Sequence, residues 1–235
     1  MKGTAPMSKK LALIGLDGSG KSANIDQMKC DPAYTDYSFM WVRWKPFLLR
    51  PAYWILEKKL SKKTADLPQK AVDGKNTAKQ AKLNADYQKK SGLKDRMFRN
   101  PVIRSSWMGL ALVDYFFQFH FKTAPLILGH KNVIFDRFYL DLFVDQGINF
   151  GYSPERIDRA IRRSRWLFPE MDQIIYIRVS PQTCYQRKDD IPNMEYLNRR
   201  FEIYETLARN NNWIVVDGEE PFKTVNNWIK KVILG

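Results

Sequence analysis

The chain has 235 residues, 44% of them apolar, and a formal charge of +14 at pH 7. That length suits a single domain, residues 1–235, with one buried core. No apolar run supplies the roughly 20 residues that a bilayer span requires, and two isolated cysteines, Cys30 and Cys184, exclude a disulfide framework or zinc site and suit a reducing cytoplasm.

The charge is concentrated. Between Arg43 and Arg104 there are seventeen Lys or Arg against five Asp or Glu, so the rest of the chain is almost neutral. His120 and His130 stand alone near apolar sequence and are read as packed or surface residues. Residues 1–6 carry no structural weight, and the apolar run Leu11 to Leu16 is too short for a secretory leader.

In chain order, Leu11 to Leu16 reads as a buried parallel strand running into a glycine turn. Ser38 to Arg43 has strand composition. The basic, aromatic stretch from Trp41 to Lys63 follows, and it is read first as a core helix with a solvated lysine tail. A second reading makes it an interfacial helix on an anionic membrane surface; a third, nucleic acid, has no motif behind it. Residues 61–92 are lysine-rich and poor in large apolar side chains, which predicts a solvated, mobile insertion, helical from Thr77 to Lys90. Trp107 to Gly129 is interrupted by Asp114, Gln118, His120 and Lys122 and reads as a core helix. Further strands are expected at Asn132 to Asp136, Gln173 to Val179 and Trp213 to Asp217. A last amphipathic helix carries Val225, Trp228, Ile229, Val232 and Ile233. Strands alternating with helices predict an α/β fold in three layers: a five-stranded parallel sheet with helices on both faces.

Chemistry enters at Gly15-Leu16-Asp17-Gly18-Ser19-Gly20-Lys21-Ser22, which fits G-x-x-x-x-G-K-[ST] between a strand and a helix. Phosphate oxygens must approach main-chain N–H groups closely, so glycines replace side chains where the loop curls. Gly15, Asp17, Gly18, Ser19, Gly20, Lys21 and Ser22 are the candidate ATP-binding residues. Lys21 is placed to reach the β- and γ-phosphates and Ser22 to hold Mg²⁺. Asp136, ending an apolar strand, is the second candidate metal residue, and the adjacent Arg137 suits a metal–phosphate site.

These features resemble the thymidylate kinase-type family of P-loop nucleoside monophosphate kinases. The similarity rests on the phosphate loop with its acidic Asp17, on Asp136-Arg137-Phe138, and on Arg187-Lys188 followed by Arg199 to Ala208. Trp213 to Asp217 adds a match to the family's last strand. The resemblance implies transfer of the γ-phosphoryl group of ATP, with Mg²⁺, to a nucleoside monophosphate or other small phosphorylated acceptor. It implies that Lys21, Asp136, Arg137 and the lid residue Arg187 are catalytic, and that Asp17, Arg43 and Arg137 face the acceptor. Gly18 stands where some members carry an arginine, and Arg187 or Lys188 would then supply that charge. The pattern departs at Ala111 and Tyr115, where the family places a stacking ring and a base-reading arginine. Tyr115 is the candidate acceptor contact there, and dTMP is not expected to be the preferred acceptor. The alternatives are a kinase of a sugar- or lipid-linked acceptor at a membrane surface and a nucleic-acid-associated NTPase. A homodimer is left open.

Overall fold

A computed structural model describes residues 8–51, 54 and 77–235. Its five strands are β1 (Lys10–Gly15), β2 (Tyr37–Trp41), β3 (Asn132–Asp136), β4 (Gln173–Arg178) and β5 (Ile214–Asp217). They form one parallel sheet in the order β2-β3-β1-β4-β5. β1 is central, and the chain leaves it toward β3 and β2 before returning past it to β4 and β5. The C-terminal end of β1 is therefore the switch point at which an open α/β sheet offers a crevice. Leu11, Leu13, Ile14, Ile134, Phe135, Ile175 and Ile177 are at most 1% exposed, as expected for strands covered on both faces.

The helices are α1 (Lys21–Cys30), α2 (Thr77–Met97), α3 (Pro101–Leu128), α4 (Tyr139–Asn149), α5 (Pro154–Ser164), α6 (Pro181–Arg187), α7 (Met194–Asn210) and α8 (Phe222–Leu234). Short polar residues start several of them. Asn100 accepts from the Val102 amide, Ser153 from Arg156, Ser180 from Thr183 and Asn193 from Tyr196, each satisfying a free N–H of a first turn. Pro follows at the first helical position in three of the four, where its missing N–H costs nothing. α1 packs on α8, and α4 packs on α3, α5 and α7.

Strand positions match the sequence reading to within two residues, but three expectations change. The helix starting at Thr77 runs to Met97, past Lys90, and is docked. Asn84 accepts from Asn193 at 2.8 Å and the Tyr87 ring meets Tyr196 edge-on. The remainder of the expected insertion, 61–76, lies outside the described residues. α3 is only half a core helix: Ala111, Tyr115, Phe119 and Thr123, spaced by four, are buried, while Leu110, Val113, Phe117 and Phe121 on its other side are exposed. Both faces are apolar, so periodicity could not tell them apart. The stretch after β2 is not a core helix over its described part. Val42 is buried, but Trp41, Phe47, Leu48 and Trp54 are exposed.

α3 instead holds that stretch from beneath. The buried Asp114 carboxylate accepts from the amides of Phe47 (2.9 Å) and Leu48 (3.0 Å) and from Trp44 Nε1 (3.3 Å). Tyr115 donates to the Val42 carbonyl (2.7 Å) and Gln118 to that of Lys45 (2.8 Å). Arg43 thus leaves β2 on a backbone fixed at both sides.

Phe119 is 1% exposed and touches the rings of Tyr115, Phe135, Phe138 and Phe168. Phe119→Ala is expected to cost about 3–5 kcal/mol, the usual range for emptying a packed aromatic site. The check is a lower urea midpoint at an unchanged m-value.

Candidate active site

The loop between β1 and α1 is shaped by its glycines. Gly18 has φ +91°, and a Cβ there would lie 2.6 Å from the carbonyl oxygen of Cys184 in α6. At Gly15 (φ +153°) a Cβ would lie 2.7 Å from the Ile177 carbonyl oxygen. The loop is therefore wedged between α1 and the β4–α6 unit, and only glycine fits these two points. Gly20 (φ +87°) starts α1. Lys21 is buried and its ammonium donates to the carbonyls of Gly15 (2.8 Å) and Leu16 (2.6 Å) and to Ser19 Oγ (3.3 Å). Burial, reinforced by Arg137, pulls its pKa down to about 8 against the opposing carboxylates of Asp17, Asp141 and Asp136.

Asp136 ends β3 opposite Leu13 of β1, beside the loop. Burial raises its pKa although Lys21 and Arg137 oppose the rise. Ser22 is exposed at the start of α1. A hydroxyl and a carboxylate are hard oxygen donors of the kind Mg²⁺ takes, with phosphate oxygens and waters filling its other positions. Among the described residues no group of three or more His, Cys, Asp or Glu is gathered for a metal.

Arg137 organises the charges beside the loop. Its backbone is left-handed (φ +71°), its amide donates to the Leu13 carbonyl, and its guanidinium is shared between Asp17 and Asp141 of α4 (3.0 Å). Asp17 also accepts from the Tyr196 hydroxyl (2.8 Å), and Asp141 from Tyr204 (2.7 Å) and the Phe138 amide (3.0 Å). Burial alone would raise the pKa of Asp17. Arg137, Lys21 and the Tyr196 hydroxyl outweigh it and hold the carboxyl well below the usual range. Arg43 lies close enough to Arg137 and Asp17 to feel both charges.

The structure thus brings Asp17, Lys21, Arg43, Asp136 and Arg137 to one end of the sheet. Two predicted residues are elsewhere. Tyr115 is 2% exposed, with its ring in the aromatic core and its hydroxyl on Val42, and Ala111 is fully buried; both lie behind the site. Arg187 ends α6 and donates to the Gly218 carbonyl (3.1 Å), outside the network around Asp17. Sequence reading assigned no role to Asp141, Asp145, Tyr196, Arg200 or Tyr204. A signal existed: Asp141 and Asp145 follow Arg137 at intervals of four, as do Tyr196, Arg200 and Tyr204 along α7, each set on one helix face.

Gly18→Ala is expected to cost about 1–3 kcal/mol, because a methyl group at positive φ also meets the Cys184 carbonyl. Thermal unfolding without nucleotide checks this, and nucleotide affinity should fall with it as the loop is pushed off α6.

No family model matches the sequence. Over 233 residues it is 22% identical to the thymidylate kinase of Prochlorococcus marinus (strain MIT 9301), covering 96% of this chain and 95% of the relative. The thymidylate kinase of strain AS9601 is 25% identical over 47% of this chain and 55% of its own length. Deoxyadenosine kinase from M. mycoides with bound dATP superimposes with a TM-score of 0.51 at 18% identity, covering 96% of this chain and all of that one, a likeness of fold. The same enzyme with bound dCMP and dCDP gives the same TM-score over 95% of this chain and 98% of its own. A glycine loop closing on a buried lysine at the switch point of this sheet thus accompanies a similarity to a thymidylate kinase along nearly the whole chain and a likeness of fold to a deoxyadenosine kinase.

Proposed function

We propose that the chain transfers the γ-phosphoryl group of ATP to a small acceptor that already carries a phosphoryl group, of the nucleoside monophosphate class. The observation that supports this most directly is the acceptor-side arginine pair, Arg137 and Arg43, across from the loop. Asp17 faces them but is held ionised by Arg137 and Tyr196, so it is a poor base. A neutral hydroxyl acceptor would need a base, whereas a phosphate oxygen is already anionic and attacks without losing a proton.

In this reading Lys21 exchanges the loop's own carbonyls for the β- and γ-phosphates, and the loop amides with the start of α1 hold the same oxygens. Arg137 and Arg43 orient the acceptor phosphate in line with the γ-phosphorus. A bond forms from acceptor oxygen to phosphorus while the bond to the β–γ bridging oxygen breaks, leaving the electron pair on ADP. Mg²⁺, held by Ser22 with Asp136 nearby, would neutralise charge on the phosphates. Arg187, from the end of α6, would supply further positive charge. The protein's contribution is positioning and fixed charge.

A second reading has its own observation. Trp41, Phe47, Leu48 and Trp54 are exposed in a basic stretch, and Lys45 sits 4.8 Å over the Trp41 ring, a composition suited to an anionic membrane surface. No helix among the described residues is long and apolar enough to cross a membrane. Co-sedimentation with anionic vesicles at low salt, lost at high salt, is the expected result if the acceptor is lipid-linked.

Lys21→Ala is expected to lower turnover by at least about 10²-fold with the fold intact. Bound phosphates raise the depressed pKa of Lys21, so binding takes up a proton once the free lysine has begun to lose its own. ADP affinity should therefore fall above about pH 8, approaching about tenfold per pH unit, and Lys21→Gln should flatten that dependence. Titration calorimetry between pH 7 and 9.5 reads both; a flat profile in the unsubstituted protein removes Lys21 from the phosphates.

Arg137→Ala should abolish acceptor-dependent turnover while ATP affinity changes less, and Arg137→Lys should restore it only partly, since an ammonium lacks the two-pronged grip. Turnover across nucleoside monophosphates, measured alongside ATP affinity, checks it. Loss confined to ATP affinity would move Arg137 to the donor side.

A further inference from the structure

Asp145, two turns beyond Arg137 on α4, has no part in the chemistry above. Its carboxylate is divided between arginines from two distant parts of the chain. Arg200 of α7 donates to Oδ1 at 2.7 Å, and its own side chain is only 12% exposed. That guanidinium also donates to the Tyr196 carbonyl (3.2 Å) and lies 3.6 Å over the Tyr196 ring. Arg43 reaches Oδ2 at 3.4 Å, a long contact, with 34% of its side chain and 28% of that of Asp145 exposed. One arginine is fixed to this carboxylate and the other rests on it loosely.

We propose that Asp145 is a specificity-determining residue of the acceptor site, an internal anion that occupies Arg43 until the acceptor's phosphoryl group takes its place. This rests on the phosphorylated-acceptor reading. A long, part-exposed ion pair is worth at most about fivefold in a binding constant. A phosphomonoester dianion presents two oxygens to the guanidinium fork and displaces that contact with gain. A carboxylate offers Arg43 no more than Asp145 already does, so weaker anions are excluded by competition within the site. Burial would raise the pKa of Asp145, but Arg200 and Arg43 hold it down, so the internal anion stays charged. Arg200 sets the strength of the competition by engaging one oxygen of the carboxylate.

The sign of two substitutions separates this role from simple packing. The probe is inorganic phosphate, titrated calorimetrically at constant ionic strength into protein whose phosphate loop is saturated with ADP. Asp145→Asn should tighten phosphate binding by about two- to fivefold, because Arg43 is released. Arg200→Gln should weaken it, because Asp145 then turns fully to Arg43. Both effects should vanish in an Arg43→Gln background, the mark of action through that residue. Equal affinity in Asp145→Asn and the unsubstituted protein, weakening in both variants, or effects that persist without Arg43 would each overturn the proposal. If Asp145→Asn does not fold, Arg200→Gln decides alone, and unchanged or tighter binding there overturns it. Failure of the unsubstituted protein to bind ADP would overturn the kinase reading itself. ADP binding without a second phosphate site would overturn the phosphorylated-acceptor reading, and this inference with it.

Discussion

The guanidinium of Arg137 is the interaction on which this end of the sheet is built. It leaves the sheet on a left-handed residue, an arrangement that costs a non-glycine residue on the order of 1 kcal/mol. The backbone tolerates it because the same residue's amide is bonded to β1 and its side chain is gripped by Asp17 and Asp141. Those carboxylates are in turn fixed by Tyr196 and Tyr204, one turn on either side of Arg200 on α7. A single cation thus joins the phosphate loop, β3, α4 and α7. Removing one partner of so buried a pair costs about 3–5 kcal/mol, because the other is left charged and dry.

The site is close to electrically balanced, and this shapes what it can do. Asp17, Asp141 and Asp145 face Arg43, Arg137 and Arg200, and the arginines hold Asp17 and Asp145 ionised against burial. Carboxylates held in this way do not take up protons near neutral pH, which suits the phosphorylated acceptor proposed above better than base catalysis on a hydroxyl. Charges preorganised in this way need little rearrangement in the transfer proposed above.

α3 contributes to the same end from outside. Asp114, Tyr115 and Gln118 hold residues 42–48 in place, so the helix read from sequence as plain core is also the bracket that aims Arg43. α2 does the equivalent for α7, where Asn84 and Tyr87 meet Asn193 and Tyr196 at its start. The described part of the basic segment is therefore woven into the structure at both ends, through α3 and α7.

What the sequence determined by itself was whatever is encoded within a few consecutive residues. Five strands and their order of appearance follow from short apolar runs, and the tight loop after β1 from its glycine spacing. Asp136-Arg137 was legible as a strand-end pair for the same reason. Tertiary structure alone decided which side of α3 is buried, because both faces are apolar and periodicity carries no sign. It placed Tyr115 behind the site, since the hydrogen bond to Val42 joins residues 73 apart. It also paired Asp17 with Arg137, 120 residues away, and Asp145 with Arg43 and Arg200, 102 and 55 away. A carboxylate's partner depends on which strands are neighbours and which helices cross above them, and no local pattern of residues specifies that.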